Sequence, residues 1–455
     1  MAKQRIASAV AITRGAGAQI QVYLVERAPE LRFFGGYWAL PGGVVEADDG
    51  APDLDETLVA CAVRELQEEI VVDLPPPSLR KVCDITTPPF APVRYATRFL
   101  HAELPAGQEP QPQPGELVGG RFWDPSEALA AWRRGEMRIV PPVLLLLELL
   151  QESSSIDEFL QAADAEGRAL AAGKLHPVRF SPGIFLAPLT TRTKPPATTT
   201  NTFLVGEERV YIVDPAPVEA AEQQRLFDKI DQVRAAGAEL AGIILTHHHP
   251  DHIGAVVAVA DRYELPVLAH DETFARLPFE VPTKQRLADG DRLELGAAPD
   301  ESPGWQLEVY HTPGHAPGHL ALRDSRYNTL IAGDLCSTIS SILIEPGDGH
   351  LATYLASLQR LLDLPLDTIY PSHGPAHRDA GMVLRKTIQH RHAREQKLID
   401  ALKQGHSTTA DLVPVVYDDT DPALHAMAGR SLAAGLAKLV EEGRVAADAD
   451  GWHWR

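Results

Sequence analysis

Long hydrophobic runs are the first thing that this 455-residue sequence lacks. The longest run of Val, Ile and Leu, Val143–Leu147, is far too short to span a bilayer, and so is every other apolar run of the sequence. The beginning of the sequence shows no basic region followed by an apolar stretch, so we expect no signal peptide. Together these absences predict a cytoplasmic protein that makes no contact with a membrane.

Cysteine and positive charge are also scarce. Cys61, Cys83 and Cys336 are too scattered for a disulfide framework or a paired zinc-ligand motif, and Cys336 is predicted to be a small buried filler. The sequence has 42 Lys and Arg residues and 62 Asp and Glu residues, which gives a formal net charge of −20. This balance argues against a protein that coats nucleic acid by bulk attraction. It still allows a phosphate-bearing substrate, because metal ions can supply the positive charge locally.

The length exceeds that of one ordinary core and predicts several domains. Strand-like stretches and one helix fill residues 1–152, and a helical linker is predicted at 153–187. Strands interleaved with helical stretches over 188–377 indicate an α/β domain. Residues 378–455 are mainly helical and close with a hairpin pattern, which suggests a winged-helix-like unit. The predicted class is therefore multidomain, combining α/β and α+β parts.

A histidine-rich motif follows a buried-looking strand in the third of these four segments. It reads Thr246-His-His-His-Pro-Asp-His252. His247 and His249 lie two residues apart in extended chain and can point to the same side. Asp251 and His252 sit at the turn into the next helix and can face a second ion. Imidazoles and carboxylates at this density suit zinc or another borderline divalent metal.

Three later residues complete the same pattern. His315 follows a predicted strand at 307–310, Asp334 follows one at 330–332, and His373 follows one at 368–370. Open α/β sheets place their sites beyond the carboxyl ends of their strands. The candidate ligands of this centre are His247, His249, Asp251, His252, His315, Asp334 and His373.

On these motifs, residues 188–376 resemble the metallo-β-lactamase superfamily, which implies an αββα sandwich and two Zn²⁺ or other divalent transition-metal ions. The resemblance assigns His247, His249 and His315 to one ion, Asp251, His252 and His373 to the other, with Asp334 as the bridge. It also makes Asp251 a catalytic residue and gives Asp214 a supporting role. Neighbouring ions can lower the pKa of a bridging water and hold the electrophile in line.

The substrate class stays open between two relatives of this fold. The short interval from Asp334 to His373 excludes the inserted domain of the large RNA-processing members. Residues 348–354 and the helical tail resemble the lactamase-β-like-2 group, which carries a winged-helix-like unit and includes an endoribonuclease for single-stranded RNA. The glyoxalase II thioesterases resemble the metal core equally well. A phosphodiester, an ester and a thioester are therefore all candidates.

Two further features bear on substrate binding. A basic stretch directly after the site is either a solvated helix face or a strip that contacts RNA phosphates. In the second case, Arg391 and Arg394 are the candidate substrate-binding residues. The members of this stretch are Arg378, Arg385, Lys386, Arg391, Arg394 and Lys397. His319, close to the third histidine ligand, either contacts substrate or completes a turn.

An acidic helix marks the first domain. The motif Arg64-Glu-Leu-Gln-Glu-Glu69 lies in a helix predicted over 56–70, which places Glu65, Glu68 and Glu69 on one face. Three carboxylates on one face repel each other unless something neutralises them. Hard oxygen ligands favour Mg²⁺ or Mn²⁺.

With Pro41-Gly-Gly43 ahead of this helix, residues 1–150 resemble a Nudix hydrolase, which is an α/β/α sandwich. The resemblance implies metal binding by Glu65, Glu68 and Glu69 and catalysis by Glu68 and Glu69. It assigns the support of the loop–helix–loop to Arg64 and Glu56, and Glu116 is a further metal or base candidate. The long interval from Gly43 to Glu56 resembles the coenzyme-A-type branch. Val71, however, stands where the motif has glycine.

The leading interpretation is a fusion of two metal-dependent hydrolases, the first cleaving a diphosphate linkage in a nucleotide or coenzyme A derivative. The alternative makes the Nudix domain a non-catalytic ligand sensor that regulates a glyoxalase II-like thioesterase or an endoribonuclease. A third interpretation, a nucleic-acid-binding regulator built on the winged helix, is disfavoured by the intact ligand set. The expected partners are a phosphorylated or thioester small molecule, or single-stranded RNA, and a homodimer stays open.

Overall fold

The computed structural model describes residues 4–51, 55–449 and 451–455. The chain divides into two compact units. The first comprises Met1–Pro188, Gln224–Val233 and Ala297–Ser302. The second comprises Leu189–Gln223, Arg234–Gly296 and Pro303–Arg455.

A mixed sheet forms the centre of the first unit. Its strands are β1 (Gln4–Arg14), β2 (Gln21–Arg27), β3 (Trp38–Ala39), β4 (Gly42–Val44), β5 (Arg80–Thr86), β6 (Arg94–Glu103) and β7 (Leu117–Trp123). Strand β1 runs parallel to β6 and antiparallel to β2 and β4. Strand β2 also pairs antiparallel with β3 and β7, and β5 pairs antiparallel with β6. A hairpin of β8 (Val178–Ser181) and β9 (Ile184–Thr190) follows later in the chain.

The helices of the first unit are α1 (Asp55–Ile70), α2 (Pro125–Arg133), α3 (Pro141–Glu152) and α4 (Ile156–Ala171). Helix α1 buries Leu58, Ala62, Leu66 and Ile70 in the core. These residues recur every fourth position and so form one face, which leaves the acidic face free. The predicted helix is confirmed. Helix α4 falls within the predicted linker, yet its apolar residues join the same core.

The second unit contains two mixed sheets. One runs through β10 (Thr199–Val205), β11 (Arg209–Val213), β12 (Glu239–Ile244), β13 (Val267–Ala269) and β14 (Lys284–Arg286) in that order. From β11 to β14 the neighbours are parallel. The other sheet is β15 (Arg292–Gly296), β16 (Trp305–His311), β17 (Leu320–Asp324), β18 (Leu330–Gly333) and β19 (Ile369–Pro371), with only β18 and β19 parallel. The predicted mixed, multidomain class is confirmed.

Helices surround these sheets and continue into the C-terminal region. They are α5 (Ala220–Ala235), α6 (Pro250–Ile253), α7 (Val256–Tyr263), α8 (Asp271–Phe274), α9 (Leu351–Leu362), α10 (Ala380–Lys403), α11 (Thr409–Val416) and α12 (His425–Glu441). A final antiparallel hairpin joins β20 (Val445–Asp448) and β21 (Gly451–Trp454). The basic stretch therefore lies on one long helix, α10. In the described part of the chain, no helix combines the length and apolarity needed to cross a membrane.

The end of helix α1 explains how the chain accommodates Val71. This residue adopts a left-handed conformation with φ of 57°, and it is 41% exposed. Its N–H donates to the Gln67 carbonyl at 3.2 Å, and the Val72 N–H donates to the Leu66 carbonyl at 3.2 Å. Such bonds close a helix whose next residue is left-handed, a position that favours glycine. The backbone thus keeps the glycine-type exit, and the β-branched side chain carries strain.

We expect Val71→Gly to raise the free energy of unfolding by about 1 kcal/mol, because it removes the left-handed penalty of a side chain that buries little. Urea unfolding measures the change. The matched control is Val118→Gly, since Val118 is 57% exposed and lies in strand β7. That substitution should lower stability by about 0.5–1 kcal/mol. A loss of stability in Val71→Gly equal to that of the control contradicts the explanation.

Candidate metal centre

The ends of strands bring the predicted ligands of the second unit together. His247 comes shortly after β12 in one sheet. His315, Asp334 and His373 come after β16, β18 and β19 in the other sheet. His249 caps the short helix α6, which carries the remaining two candidate ligands. All seven side chains predicted from the sequence therefore lie at one place.

One group of ligand atoms consists of three imidazoles and a carboxylate. Nε2 of His247 lies 3.0 Å from Nδ1 of His249, and Nε2 of His315 lies 2.9 Å from the same atom. Oδ2 of Asp334 lies 3.4 Å from Nε2 of His315. These four residues are close enough together to hold one cation.

A second group lies on the other side of Asp334. Nε2 of His373 is 3.6 Å from Oδ2 of Asp251, and Nε2 of His252 is 4.0 Å from Oδ1 of the same residue. Oδ1 of Asp334 lies 3.4 Å from Nε2 of His373 and 3.6 Å from Nε2 of His252. Asp334 thus presents one carboxylate oxygen to each group.

The outer ring nitrogens show where the protons lie. Nδ1 of His315 is 3.0 Å from the Leu343 carbonyl, and Nδ1 of His373 is 3.0 Å from the Thr199 carbonyl. A carbonyl only accepts hydrogen bonds, so each of these nitrogens must carry the proton. The inner Nε2 of each neutral ring then presents a lone pair, as in metal-binding histidines held by an outer acceptor.

Carboxylates fix the remaining rings in the same way. Asp348 accepts from Nε2 of His249 at 2.7 Å, and Asp214 accepts from Nδ1 of His252 at 2.9 Å. The Thr246 hydroxyl donates to Asp214 at 2.6 Å and so accepts from Nδ1 of His247 at 3.0 Å. In the neutral ring of each histidine, the nitrogen that faces the centre is left with its lone pair.

This arrangement fits divalent cations. Three lone-pair nitrogens facing each other within about hydrogen-bond distance repel one another unless a positive charge lies between them. Nε2 of His252 and Oδ1 of Asp334 are buried and have no hydrogen-bond partner among the described residues. Buried polar atoms are rarely left unpaired, because each lost partner costs free energy. Imidazole and carboxylate ligands suit borderline divalent metals.

Electrostatics around the centre agree with its affinity for positive charge. Burial lowers the pKa of His315 to about 4, so this ring is neutral at pH 7. Burial alone would also lower the pKa of His252, but Asp334 and Asp214 outweigh it and raise that pKa well above its usual value. Burial opposes ionisation of Asp334, yet His373 and His252 hold its pKa well below the usual range.

His319 supports the centre from behind and does not reach substrate. Its side chain is fully buried, and burial keeps its pKa well below the usual value. Nδ1 lies 2.8 Å from the Thr312 hydroxyl, and Nε2 accepts the backbone N–H of Asp334 at 3.1 Å. A Cβ at Gly333, whose φ is 53°, would meet this nitrogen at 2.5 Å. Of the two roles predicted for His319, these contacts favour the completed turn, because its backbone N–H also donates to the Ala316 carbonyl and its backbone carbonyl accepts from the Thr312 N–H.

The two arginines expected to bind phosphate have internal partners instead. Arg391 is 9% exposed and donates to the Ile342 carbonyl. Arg394 donates to the Val416 carbonyl at 2.6 Å and pairs with Asp419. Of the two roles predicted for this stretch, neither the solvated face nor the phosphate strip fits Arg391, which is buried, and these internal partners disfavour phosphate binding by Arg394.

Two acidic residues support the histidine ligands, and the sequence predicts this role for one of them only. Asp214, already predicted to support the site, also accepts the backbone N–H of Thr246 at 2.7 Å. Asp348 was not singled out as a partner of His249, because it lies in a loop before α9 with no fixed spacing to the histidine motif. Cys336 is fully buried, which confirms its predicted role as a filler.

The carboxylates of helix α1 are arranged less tightly. The Gly42 N–H donates to Glu69 at 2.9 Å, and a Cβ at Gly43 would meet Oε1 of Glu65 at 2.2 Å. Arg64 pairs with both Glu65 and Glu68 at 2.9 Å. Over residues 4–51, 55–449 and 451–455, Glu65, Glu68 and Glu69 do not form a group close enough to hold one cation. Instead of a cation, Arg64 neutralises the charges of Glu65 and Glu68.

The support of this motif differs from the prediction at one residue. Arg64 forms its two-pronged ion pair with Asp49, both contacts at 2.9 Å, whereas Glu56 is exposed. Asp49 belongs to the long interval before the helix, which the usual motif spacing does not cover. Burial is the main reason that the pKa values of Glu65 and Glu69 are raised, and the negative charge of the nearby Glu116 adds to the effect.

Glu69 should make stability depend on pH in the metal-free protein. Burial raises its pKa from 4.5 to about 7, so the folded state holds this proton more tightly than the unfolded chain does. Its contribution to stability is therefore full below about pH 4.5 and is lost as pH rises towards 7, by up to about 3 kcal/mol. In urea unfolding with a chelator present, the free energy of unfolding of Glu69→Gln should no longer fall between pH 4.5 and 7 in this way. Glu68→Gln, whose side chain is 60% exposed, is the control and should keep this pH dependence; an unchanged pH dependence in Glu69→Gln contradicts the assignment.

Asp214→Asn should weaken metal binding by about 10–100-fold, the usual effect of losing an outer partner of a ligand. The new amide NH₂ must face either the backbone N–H of Thr246, or both the hydroxyl of Thr246 and the ring N–H of His252, so at least one donor loses its acceptor. Metal titration against a competing chelator measures the change. Asp261→Asn is the control, because Asp261 is exposed on α7. Wild-type affinity in Asp214→Asn contradicts the role given to this carboxylate.

Comparison with known families agrees with this division of the chain. Residues 3–141 match the NUDIX domain. Residues 195–373 match the metallo-beta-lactamase superfamily. Residues 408–452 match the beta-lactamase associated winged helix domain.

Among individual proteins, the chain is 27% identical over 256 residues to a beta-lactamase-like protein 2 homolog from Caenorhabditis elegans, covering 54% of this chain and 80% of that protein. It is 33% identical over 150 residues to a hydroxyacylglutathione hydrolase from Bdellovibrio bacteriovorus, covering 32% of this chain and about half (53%) of that protein. A beta-lactamase domain protein from Burkholderia ambifaria shares the fold, with a TM-score of 0.53 and 22% identity over 61% of this chain and 93% of that one. The chain is a hydrolase that joins a Nudix domain, a metallo-β-lactamase-superfamily domain and a β-lactamase-associated winged helix domain.

Proposed function

We propose that the metallo-β-lactamase domain is a binuclear zinc-type hydrolase that cleaves a small-molecule ester or thioester. The observation that carries this proposal is the position of Asp334, which offers Oδ2 to one imidazole group and Oδ1 to the other. His247, His249 and His315 would hold one ion. Asp251, His252 and His373 would hold the second.

Two ions held there would act as Lewis acids, which acidify water and polarise a scissile carbonyl. The outer acceptors orient each ring, so that its inner nitrogen faces the centre and can bind a cation once it carries no proton. The side chains of His249 and Asp251 are 25% and 19% exposed, so the centre is open to substrate on their side. The Asp251 carboxylate stays ionised, since burial is outweighed by His252 and its pKa is lowered, and it can orient a water molecule there.

The chain's charges favour an uncharged acyl group over RNA as the group that is cleaved. Arg391 and Arg394 are engaged internally, which removes the central members of the expected phosphate strip. The similarity to a protein named hydroxyacylglutathione hydrolase points in the same direction, because that name denotes an acyl-thiol compound. Single-stranded RNA is the second candidate, and it rests on the resemblance of residues 348–354 and the helical tail to the lactamase-β-like-2 group.

For the Nudix domain we propose Mg²⁺- or Mn²⁺-dependent cleavage of a diphosphate linkage in a nucleotide or coenzyme A derivative. The supporting observation is that Glu65 and Glu69 lie against the backbone of Gly42 and Gly43 in β4, with Glu116 nearby. Arg64 would have to release Glu65 or Glu68 for a cation to bind. If it does not, the domain is a ligand sensor.

The binuclear proposal predicts about two zinc ions per chain after reconstitution, measured by elemental analysis, and hydrolysis of acyl-thioesters. His315→Ala should lose one ion and reduce kcat by at least about 100-fold, because a ligand of the centre is gone. His270→Ala is the control, since His270 stacks on His311 outside the ligand groups and should keep both ions. A wild type that binds one zinc ion or none contradicts the proposal. If it cleaves RNA oligomers and no acyl-thioester, single-stranded RNA replaces the thioester as the substrate.

The Nudix proposal is tested with the other centre inactivated by His247→Ala and Asp334→Ala. This variant should hydrolyse a nucleoside diphosphate or coenzyme A derivative with Mg²⁺ and should lose that activity with Glu69→Gln. Glu56→Gln is the matched control, because Glu56 is exposed and Asp49 takes its expected place beside Arg64. If the variant binds these compounds at micromolar concentration but does not hydrolyse them, the Nudix domain is a ligand sensor and not an enzyme.

A further inference from the structure

One loop contacts two of the metal-ligand candidates and directly follows a third. It comprises residues 335–345, here called the ligand loop, and begins directly after Asp334. The Leu343 carbonyl accepts from Nδ1 of His315 at 3.0 Å. The Ser337 hydroxyl donates to the His373 carbonyl at 3.1 Å. The position of this loop therefore sets the orientation of His315 and contributes to that of His373.

Tyr354 on helix α9 packs beneath the same segment. It is fully buried, and its hydroxyl donates to the Leu335 carbonyl. A Cβ at Gly314 would meet the Cα of Tyr354 at 2.3 Å, so the residue before His315 lies directly against the tyrosine backbone. Tyr354 thus contacts the chain beside two ligands at once.

Arg391 on α10 holds the ligand loop against this tyrosine. Its guanidinium donates to the Ile342 carbonyl and lies 5.3 Å from the centre of the Tyr354 ring. Its Nε is buried and has no hydrogen-bond partner among the described residues. Nor does any carboxylate of the described residues form an ion pair with it.

Stability does not account for such a residue. A buried guanidinium without a carboxylate costs free energy, and a well-packed apolar side chain of similar volume would fill the space at lower cost. Among the residues that the structure describes, the backbone carbonyl to which Arg391 donates is that of Ile342, the residue before Leu343, whose own carbonyl orients His315. The chain of contacts therefore ends at the metal centre.

We infer that Arg391 is a positioning residue of the metal centre: it fixes the ligand loop so that the Leu343 carbonyl holds the His315 ring with its Nε2 facing the metal. This inference rests on the proposed binuclear centre and gives the C-terminal region a function in it. Without Arg391, the loop would move away from Tyr354 and the His315 ring would lose its outer acceptor for part of the time. The ion bound by His247, His249 and His315 would then be held more weakly.

The test compares Arg391→Met, which keeps the length and loses the donor, with Arg391→Lys, which keeps a donor. The control is Arg385→Met on the same helix, because Arg385 is 59% exposed and pairs with the exposed Asp379. In metal-free protein, hydrogen exchange of the loop peptide should be at least about 10-fold faster in Arg391→Met and unchanged in the control. In a zinc titration, one of the two ions should bind about 10–100-fold more weakly. Arg391→Lys should recover part of both effects.

Kinetics provide an independent readout. Arg391→Met should lower kcat with KM unchanged, because the residue acts through His315 and does not contact substrate. Wild-type exchange in the loop together with wild-type zinc affinity overturns the inference, and so does a raised KM with a flatter salt dependence, which would indicate a phosphate contact. If Arg391→Met does not fold, Arg391→Lys decides by the same two measurements. A wild type that binds fewer than two ions removes the binuclear proposal itself, and the inference with it.

Discussion

A buried carboxylate placed among imidazoles is the constraint on which the second unit depends. Asp334 lies between two groups of histidines, and its side chain is only 10% exposed. A charge in this position needs opposite charge close by, because water is too scarce to solvate it. His252 and His373 supply part of it, and the cations for which the other ligands are arranged would supply the rest.

Keeping the ligand nitrogens available requires acceptors on the far side of each ring. These acceptors come from separate parts of the chain: the carbonyls of Thr199 and Leu343, and the carboxylates of Asp214 and Asp348. Backbone carbonyls cannot be protonated at ordinary pH, so they fix one tautomer whatever the pH. The centre is thus built as much by loops as by the strand ends that carry the ligands.

The ligand set could be predicted from the sequence because each member follows a recognisable strand, and the structure brings all seven side chains together. The supporting contacts could not be predicted in the same way. Asp348 and His319 reach their partners across loops whose paths have no periodic signal. Arg391 was interpreted as a surface charge, because the spacing of charges along a helix does not reveal which face packs against a loop.

In the first unit, too, the element and its face could be predicted from the sequence, whereas the supporting contacts could not. The helix and its acidic face were predictable from the four-residue spacing of its apolar side chains. The partner of Arg64 was not, because Asp49 lies in an interval that the motif spacing does not cover. Val71 stands where the motif has glycine, and the structure shows that the backbone keeps the left-handed exit and places the strain on the side chain.

The central claim is that Asp334 bridges two cations, and anomalous diffraction from zinc-loaded crystals tests it most directly. The account predicts two peaks on opposite sides of the Asp334 carboxylate. One should contact His247, His249 and His315, and the other should contact Asp251, His252 and His373, with a different oxygen of Asp334 facing each. A single peak, or two peaks that share neither oxygen of Asp334, would contradict the account.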